Sequence, residues 1–415
     1  MAVIYIDLGN NQVEFGDALL DIHANNVATP PLKPPPKPQK TKAECKENRH
    51  LLRKTAGAIM PFERVRHCGR KNLGDFVSLH CHDQQASYGG LETCSSVWMC
   101  PVCAVKITES RRTELEQLLA NHRQKGGKTA MMTLTVPHHQ FQKCRNLKLA
   151  VADSWRRLKQ QRSWRVIRDA CHWIGDIRAL EVTHGVNGWH PHLHILVFFN
   201  DEASERHMHN YADWAFHEWS KAITYHGLGR CDRAAFKFDI IHDDQGIGEY
   251  VSKWGVAMEM TKAHTKQSKG GRTPWQILAD YQKHGKEEDK RLFREYAKAF
   301  KGTRQLTWSR GFKRCDGVIE EGIRKRYDII ERTDEEICTE PAKQETHQAT
   351  LDKSLFKQIV EQNLTATVLS ALESGGTHEV KTTLTKHKIP WQEKPTKGMI
   401  EGQIVPLFTL NKGGA

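Results

Sequence analysis

The chain has 415 residues, more than one core of average size would use, so one main domain with a small appended module and loose ends is expected. Its 62 Lys and Arg against 49 Asp and Glu give a formal charge of +13, which suits a polyanionic partner without choosing among DNA, RNA and a membrane surface. No apolar run approaches the ~20 residues of a membrane span, the opening MAVIYIDLGN has no basic region ahead of an apolar one, and eleven unevenly spread cysteines argue against a secreted disulfide scaffold; reduced thiols and a cytoplasmic location are expected.

Residues 1–28 show no clear period, and the TPPLKPPPKPQKTK run after them reads as an extended, solvated linker. Residues 1–61 are therefore expected to be an extension with no part in the chemistry. Between Cys68 and Cys103 five cysteines fall within 36 residues, and the last two form Cys100-Pro101-Val102-Cys103. A C-x-x-C turn aims two thiolates at one ion, so Cys68, Cys94, Cys100 and Cys103 are expected to hold a structural Zn²⁺ in a module over 62–106. Cys81, His80 and His82 stand as spare ligands, and a redox pair is the rival reading of the C-x-x-C. Helices are expected over 104–125 and 147–170, the second with Trp155 and Trp164 in the core, and a strand over Thr129 to Val136.

The stretch Glu181 to Phe199, EVTHGVNGWHPHLHILVFF, carries the strongest signal. Two apolar runs close around Gly185-Val186-Asn187-Gly188, the pattern of a β-hairpin. Strand side chains alternate, so His190, His192 and His194 share one face. With the turn centred between Val186 and Asn187, Glu181 falls opposite His192 and Thr183 opposite His190. One carboxylate and two or three imidazoles on one patch suit a divalent cation, Mn²⁺ or Mg²⁺ more than a closed zinc site. The run His192-Leu193-His194 resembles the HUH motif of rolling-circle replication initiators and related nickases, enzymes that also need a tyrosine on a helix.

Downstream, 203–225 reads as an amphipathic helix and 235–242 as a strand. Asp243 or Asp244 can then cap a helix from about Ile247 to Met260, with Ile247, Val251, Trp254 and Met258 as its apolar stripe. Tyr250 and Lys253 stand together beside that stripe, where the lysine favours the phenolate and meets a phosphate. A helix is expected over 285–300 and a strand at Trp308, with Arg304, Arg310 and Lys313 as candidate DNA contacts. Residues 331–415 read as a polar tail with a helix at 353–374.

The stretches LETCSSVWMCPVCAVKITESRR, GDIRALEVTHGVNGWHPHLHILVFF, EYVSKWGVAMEMTKAHTK and TPWQILADY, with the later REYAKAFKGTRQLTWSRGF, resemble the plasmid "protein rep" family of rolling-circle initiators. The similarity runs from about Cys68 to Phe312. What it implies is an α+β fold, a central antiparallel sheet flanked by helices in the manner of HUH endonucleases with a ferredoxin/RRM-like palm, over 107–330. It further implies nicking of plasmid origin DNA, strand transfer at termination, and work alongside a host helicase and replication proteins. His192 and His194 would then ligate the cation, Glu181 or His190 would be the third ligand, and Tyr250 would be the nucleophile that leaves a 5′-phosphotyrosine. Some relatives place an acid one helical turn before the tyrosine; here that position is Gly246, and the terminating residue stays open between Asp243 and others. A transposase or relaxase of the same chemistry, a non-catalytic zinc-containing DNA-binding regulator and a hydrolytic metallonuclease are the competing readings.

Overall fold

The computed structural model describes residues 41–242, 271–309, 323–327, 329–330, 332–339 and 346–391. Helix α1 (Lys42–Ile59) leads to strands β1 (Phe76–His82) and β2 (Gln85–Gly89), then α2 (Pro101–Gln124), β3 (Lys128–Thr135), α3 (Cys144–Lys159) and α4 (Arg162–Ala170). The long hairpin β4 (Trp173–Gly185) and β5 (Gly188–Phe199) follows, then α5 (Glu205–Tyr225) and β6 (Phe236–Ile241). Beyond residue 270 come α6 (Pro274–His284), α7 (Glu287–Phe300), β7 (Leu306–Trp308), α8 (Ile323–Arg326) and α9 (Asp334–Thr339). The last described elements are β8 (His347–Asp352), α10 (Lys353–Glu361) and α11 (Thr365–Lys386), which breaks at Gly375 and Gly376.

Among the described residues the strands form two antiparallel sheets, so the fold is α+β with antiparallel sheets flanked by helices. The larger has the order β6-β3-β5-β4-β7. One of its faces presents Met132, Leu134, Leu193, Ile195 and Val197 to Trp155 of α3, Tyr211 and Trp219 of α5 and Phe293 of α7. The other face is covered over only part of its length: Leu115, Leu118 and Leu119 of α2 pack on Met131, Ile177, Leu196 and Phe198. The same face then runs on, uncovered by this cluster, to the histidines of β5. Phe198 and Phe199 are fully buried on opposite sides of one strand, so the Ile195 to Phe199 run anchors the sheet between both layers.

The smaller sheet has the order β2-β1-β8, with Leu79 of β1 opposite Ala349 of β8. Val77, Leu79 and Leu351 close on Phe356, Ile359, Val368 and Leu372 of α10 and α11. Four expectations change here. The stretch from 331, expected as a polar tail, contains this strand and both helices; its apolar residues are few, but they fall at alternating and helical spacings. Residues 1–61, expected as an inert extension, include α1, whose Thr41–Glu44 capping box starts a helix that buries Leu52, Ala56 and Ile59 in the main core. The cysteine segment, expected as a module of its own, shares that core, while the residues between Cys68 and Cys94 supply β1 and β2 to the smaller sheet. The helix expected over 147–170 is two helices, parted at Gln160 and Gln161.

Candidate metal-binding face and cysteine cluster

The β4–β5 hairpin sets the register of the candidate catalytic face. Gly185 pairs with Gly188 across the turn residues Val186 and Asn187, and the ladder then places Glu181 opposite His192, Thr183 opposite His190 and Ala179 opposite His194. Gly188 has a φ of +85°, and a Cβ there would meet the Cα of Gln140 at 2.8 Å, so the loop after β3 sits directly on the turn. That loop delivers His138, whose ring stacks on His190 with centroids 4.4 Å apart and an interplanar angle of 17°. His190 and His192 lie 4.0 Å apart, ring to ring, and the Nε2 of His194 lies 3.5 Å from a carboxylate oxygen of Glu181. From β3, Thr133 pairs with His194 and its hydroxyl shares a 3.1 Å hydrogen bond with His194 Nδ1. That bond orients the ring and leaves Nε2 turned to Glu181.

All five of Glu181, Thr183, His190, His192 and His194 are half-buried, so this end of the sheet is open to a ligand. Burial, reinforced by His190, His194 and His138, pushes the His192 pKa down to about 3. Burial and then His138 lower that of His190 as well. Both rings are consequently neutral near pH 7, with lone pairs free to coordinate or to accept. The donor set of neutral imidazoles and one carboxylate fits a divalent cation chemically.

A tighter arrangement is reached at the cysteines. The ligand sulfurs of Cys68, Cys94, Cys100 and Cys103 all lie within 4.8 Å of one another and all four residues are buried; among the described residues they are the one such group of three or more His, Cys, Asp or Glu ligand atoms. Cys68 is 3.7 Å from Cys100 and 3.5 Å from Cys103, and Cys94 is 3.8 Å from Cys103. Four thiolates at Zn–S distances of ~2.3 Å on a tetrahedron would be about 3.8 Å apart, so the cluster can hold a metal such as zinc with little movement. Cys100 does two jobs. Its sulfur accepts the Cys103 N–H at the N-cap of α2, and Pro101 starts the helix, which turns both C-x-x-C thiols to the same side. The Cys103 thiol is held well below its usual range by hydrogen bonds from Cys100 first and then Cys338, Cys68 and Cys94, whereas burial raises Cys100.

Cys338 is a fifth, buried thiol against this cluster, from α9, and sequence reading gave no sign of it because it stands alone, far along the chain. His138 was missed for a different reason. Its only signal is the Pro137-His138-His139 run closing β3, and the stack on His190 appears only once the loop folds onto the hairpin. The spare ligands Cys81, His80 and His82 lie on β1, in the smaller sheet, where His80 instead bonds to Thr346 and Ser78. Tyr250 and Lys253, with Asp243, Gly246, Arg310 and Lys313, lie outside the described residues.

The described residues thus hold a partly open sheet face with imidazoles and a carboxylate, and a closed cluster of four buried thiols. The chain belongs to the Replication protein family, whose model matches residues 90–357. It is similar to a "Protein rep" of Streptomyces lividans, 24% identical over 294 residues that make up 55% of this chain and 64% of that protein. A "Neomycin resistance protein" of Streptomyces cyanogenus is 29% identical over 133 residues, 26% of this chain and 30% of that protein. The chain thus spans less than two thirds of the length of the curated relatives it matches. No solved structure matches it. No helix among the described residues is long and apolar enough to cross a membrane.

Proposed function

We propose that the protein is a plasmid replication initiator that nicks one strand of origin DNA and starts rolling-circle replication. The observation that carries this reading is the meeting of Glu181 with His190, His192 and His194 on one half-buried sheet face, in a chain of a replication protein family. On this reading the domain is an HUH endonuclease, His192 and His194 ligate a Mn²⁺ or Mg²⁺ ion, and Glu181 or His190 completes the set. The ion when bound supplies positive charge at the scissile phosphate. The protein does the rest. The Tyr250 phenolate attacks phosphorus in line, the bond to the 3′ oxygen breaks, that oxygen takes up a proton, and a 5′-phosphotyrosine is left. Lys253, three residues on, keeps the phenol ionised and meets the phosphate. Because the phosphodiester energy is stored in the tyrosyl link, the 3′ hydroxyl can later reclaim the strand without ATP. Zinc in the cysteine cluster would be structural. Origin DNA, a host helicase and other replication proteins are the partners this role requires.

The test is one denaturing gel with a 5′- and 3′-labelled single-stranded origin oligonucleotide and Mn²⁺. The wild type should shift label to the protein band, and Tyr250→Phe should not. Cleavage without an adduct would make the protein a hydrolytic metallonuclease, and unchanged binding and plasmid maintenance in Tyr250→Phe would make it a regulator.

A further inference from the structure

We propose that the cavity between the cysteine loop and the β7 edge is a nucleotide subsite, which receives one base and its phosphate from the single strand that the histidine face cuts. It rests on the nickase reading and gives that reading a place for the neighbouring nucleotide.

The cavity measures about 360 Å³ and is bounded by residues 94–99, which run from the second cysteine ligand to just before the third, by 301–306 and by the start of α9. That is within the range of small-ligand sites, about 300–1,000 Å³. Six Lys and Arg side chains line it against two carboxylates, which suits an anion. Val97, Trp98 and Leu306 give it apolar surface that a base can cover. Two uncharged polar groups in its lining lack partners. Gln305 is 7% exposed, and its Nε2 donates to Thr108 Oγ1 at 3.0 Å, but its Oε1 accepts from nothing. Ser95 Oγ is buried and likewise without a partner, on a residue held at a φ of +48°. Buried, unsatisfied groups and left-handed non-glycine backbone are both costly, and together they mark a place where something else completes the bonding.

A nucleobase supplies what is missing. Its edge carries N–H donors for Gln305 Oε1, and its phosphate carries the charge that Arg64 and Lys301 at the rim can take. Those two cations now pair with Glu335 and Glu63, but with side chains 57% and 62% exposed the pairs are screened and readily exchanged for a phosphate. The position fits as well. Leu306 in the cavity wall pairs with Ala179 of β4, and Glu181 lies two residues along the same strand face, a distance of about 7 Å. Arg304, singled out from the sequence as a DNA contact, also lines this cavity.

The experiment is fluorescence anisotropy with full-length protein and a labelled single strand from the replicon's own origin, with an abasic residue walked along it, in a Tyr250→Phe background so that nothing is cleaved. Affinity should fall about tenfold at one abasic position near the nick and little elsewhere. Gln305→Met, which keeps the volume and removes the acceptor together with the Nε2 bond to Thr108, should lower affinity for the intact strand about tenfold and lose the response at that position, while Thr108→Val, which removes that bond alone, should keep both; the melting temperatures of the two variants should agree within about 2 °C. Arg64→Ala, on the surface, should weaken binding at every sequence and reduce the salt slope by about one. A flat abasic scan, or an unchanged dependence in Gln305→Met, would overturn the subsite. So would saturation by the four deoxynucleoside monophosphates without competition against the strand. Absence of a covalent adduct in the wild type would sink the nickase reading alone, since the anisotropy scan needs no cleavage.

Discussion

The cysteine cluster and the histidine face are both places where a metal fits, and they differ in almost every physical respect. The four thiols are buried and their sulfurs already sit near tetrahedral spacing, so an ion there would have no side left for a substrate. Three imidazoles and a carboxylate on the sheet are half-buried, mixed in chemistry and looser, with no three of their ligand atoms mutually within 4.8 Å, and His190 is backed by His138. On the proposed function the contrast is a division of labour: saturation by soft ligands in the core would make a brace, and an unfinished set of hard and borderline ligands at a surface would make a reaction site.

Breaking the brace should have the largest effect. Cys100→Ser removes a buried ligand and the N-cap sulfur of α2 together, and stability should fall by about 4 kcal/mol or more, with bound zinc lost; thermal melting and metal analysis of the purified protein check it. His192→Ala should do the reverse, leaving the melt within about 1 kcal/mol of wild type while adduct formation drops by on the order of 100-fold or more. If instead His192→Ala unfolds the protein and Cys100→Ser spares it, the division of labour is wrong.

Two smaller effects sharpen the contrast. Thr133→Val deletes the hydroxyl that orients His194 and should weaken Mn²⁺ binding roughly 10-fold, read by isothermal titration, with zinc content unchanged. In the Mn²⁺-free protein the depressed His192 pKa, about 3 when folded against ~6.5 when unfolded, makes the unfolded chain the stronger proton binder. Stability should therefore hold above pH 6.5 and fall as pH drops below it, by no more than ~1.4 kcal/mol per pH unit from this group. Because the ring is partly exposed, a slope well under that limit is expected. Urea unfolding at pH 7.5 and 5.5 should show a shallower fall in His192→Gln.

Much of this contrast could be read from the residues. The Gly-Val-Asn-Gly turn and the alternation of histidines fix the hairpin register, so Glu181 opposite His192 follows from local rules that tertiary packing has no means to shift without turning every side chain over. The C-x-x-C and two earlier cysteines give the thiol set for a similar reason: ligand chemistry leaves few ways to pair them. What stayed hidden depends on distance along the chain. Cys338 reaches Cys103 from 235 positions away, His138 meets His190 only through a loop that folds back, and β8 joins β1 with no turn between them to announce it. The break between α3 and α4 was lost because Gln160 and Gln161 are good helix formers, and only packing turns the chain there.

The pairing of Leu79 with Ala349 has a consequence for how the molecule is made. At about 5–20 residues per second, the ribosome needs roughly 15–50 s after releasing β1 to deliver the strand that completes its sheet. Through that interval the nascent polypeptide carries an unfinished β-edge beside its thiol cluster, and a premature stop before residue 347 would leave that edge permanently bare, an invitation to aggregation rather than a merely shortened product.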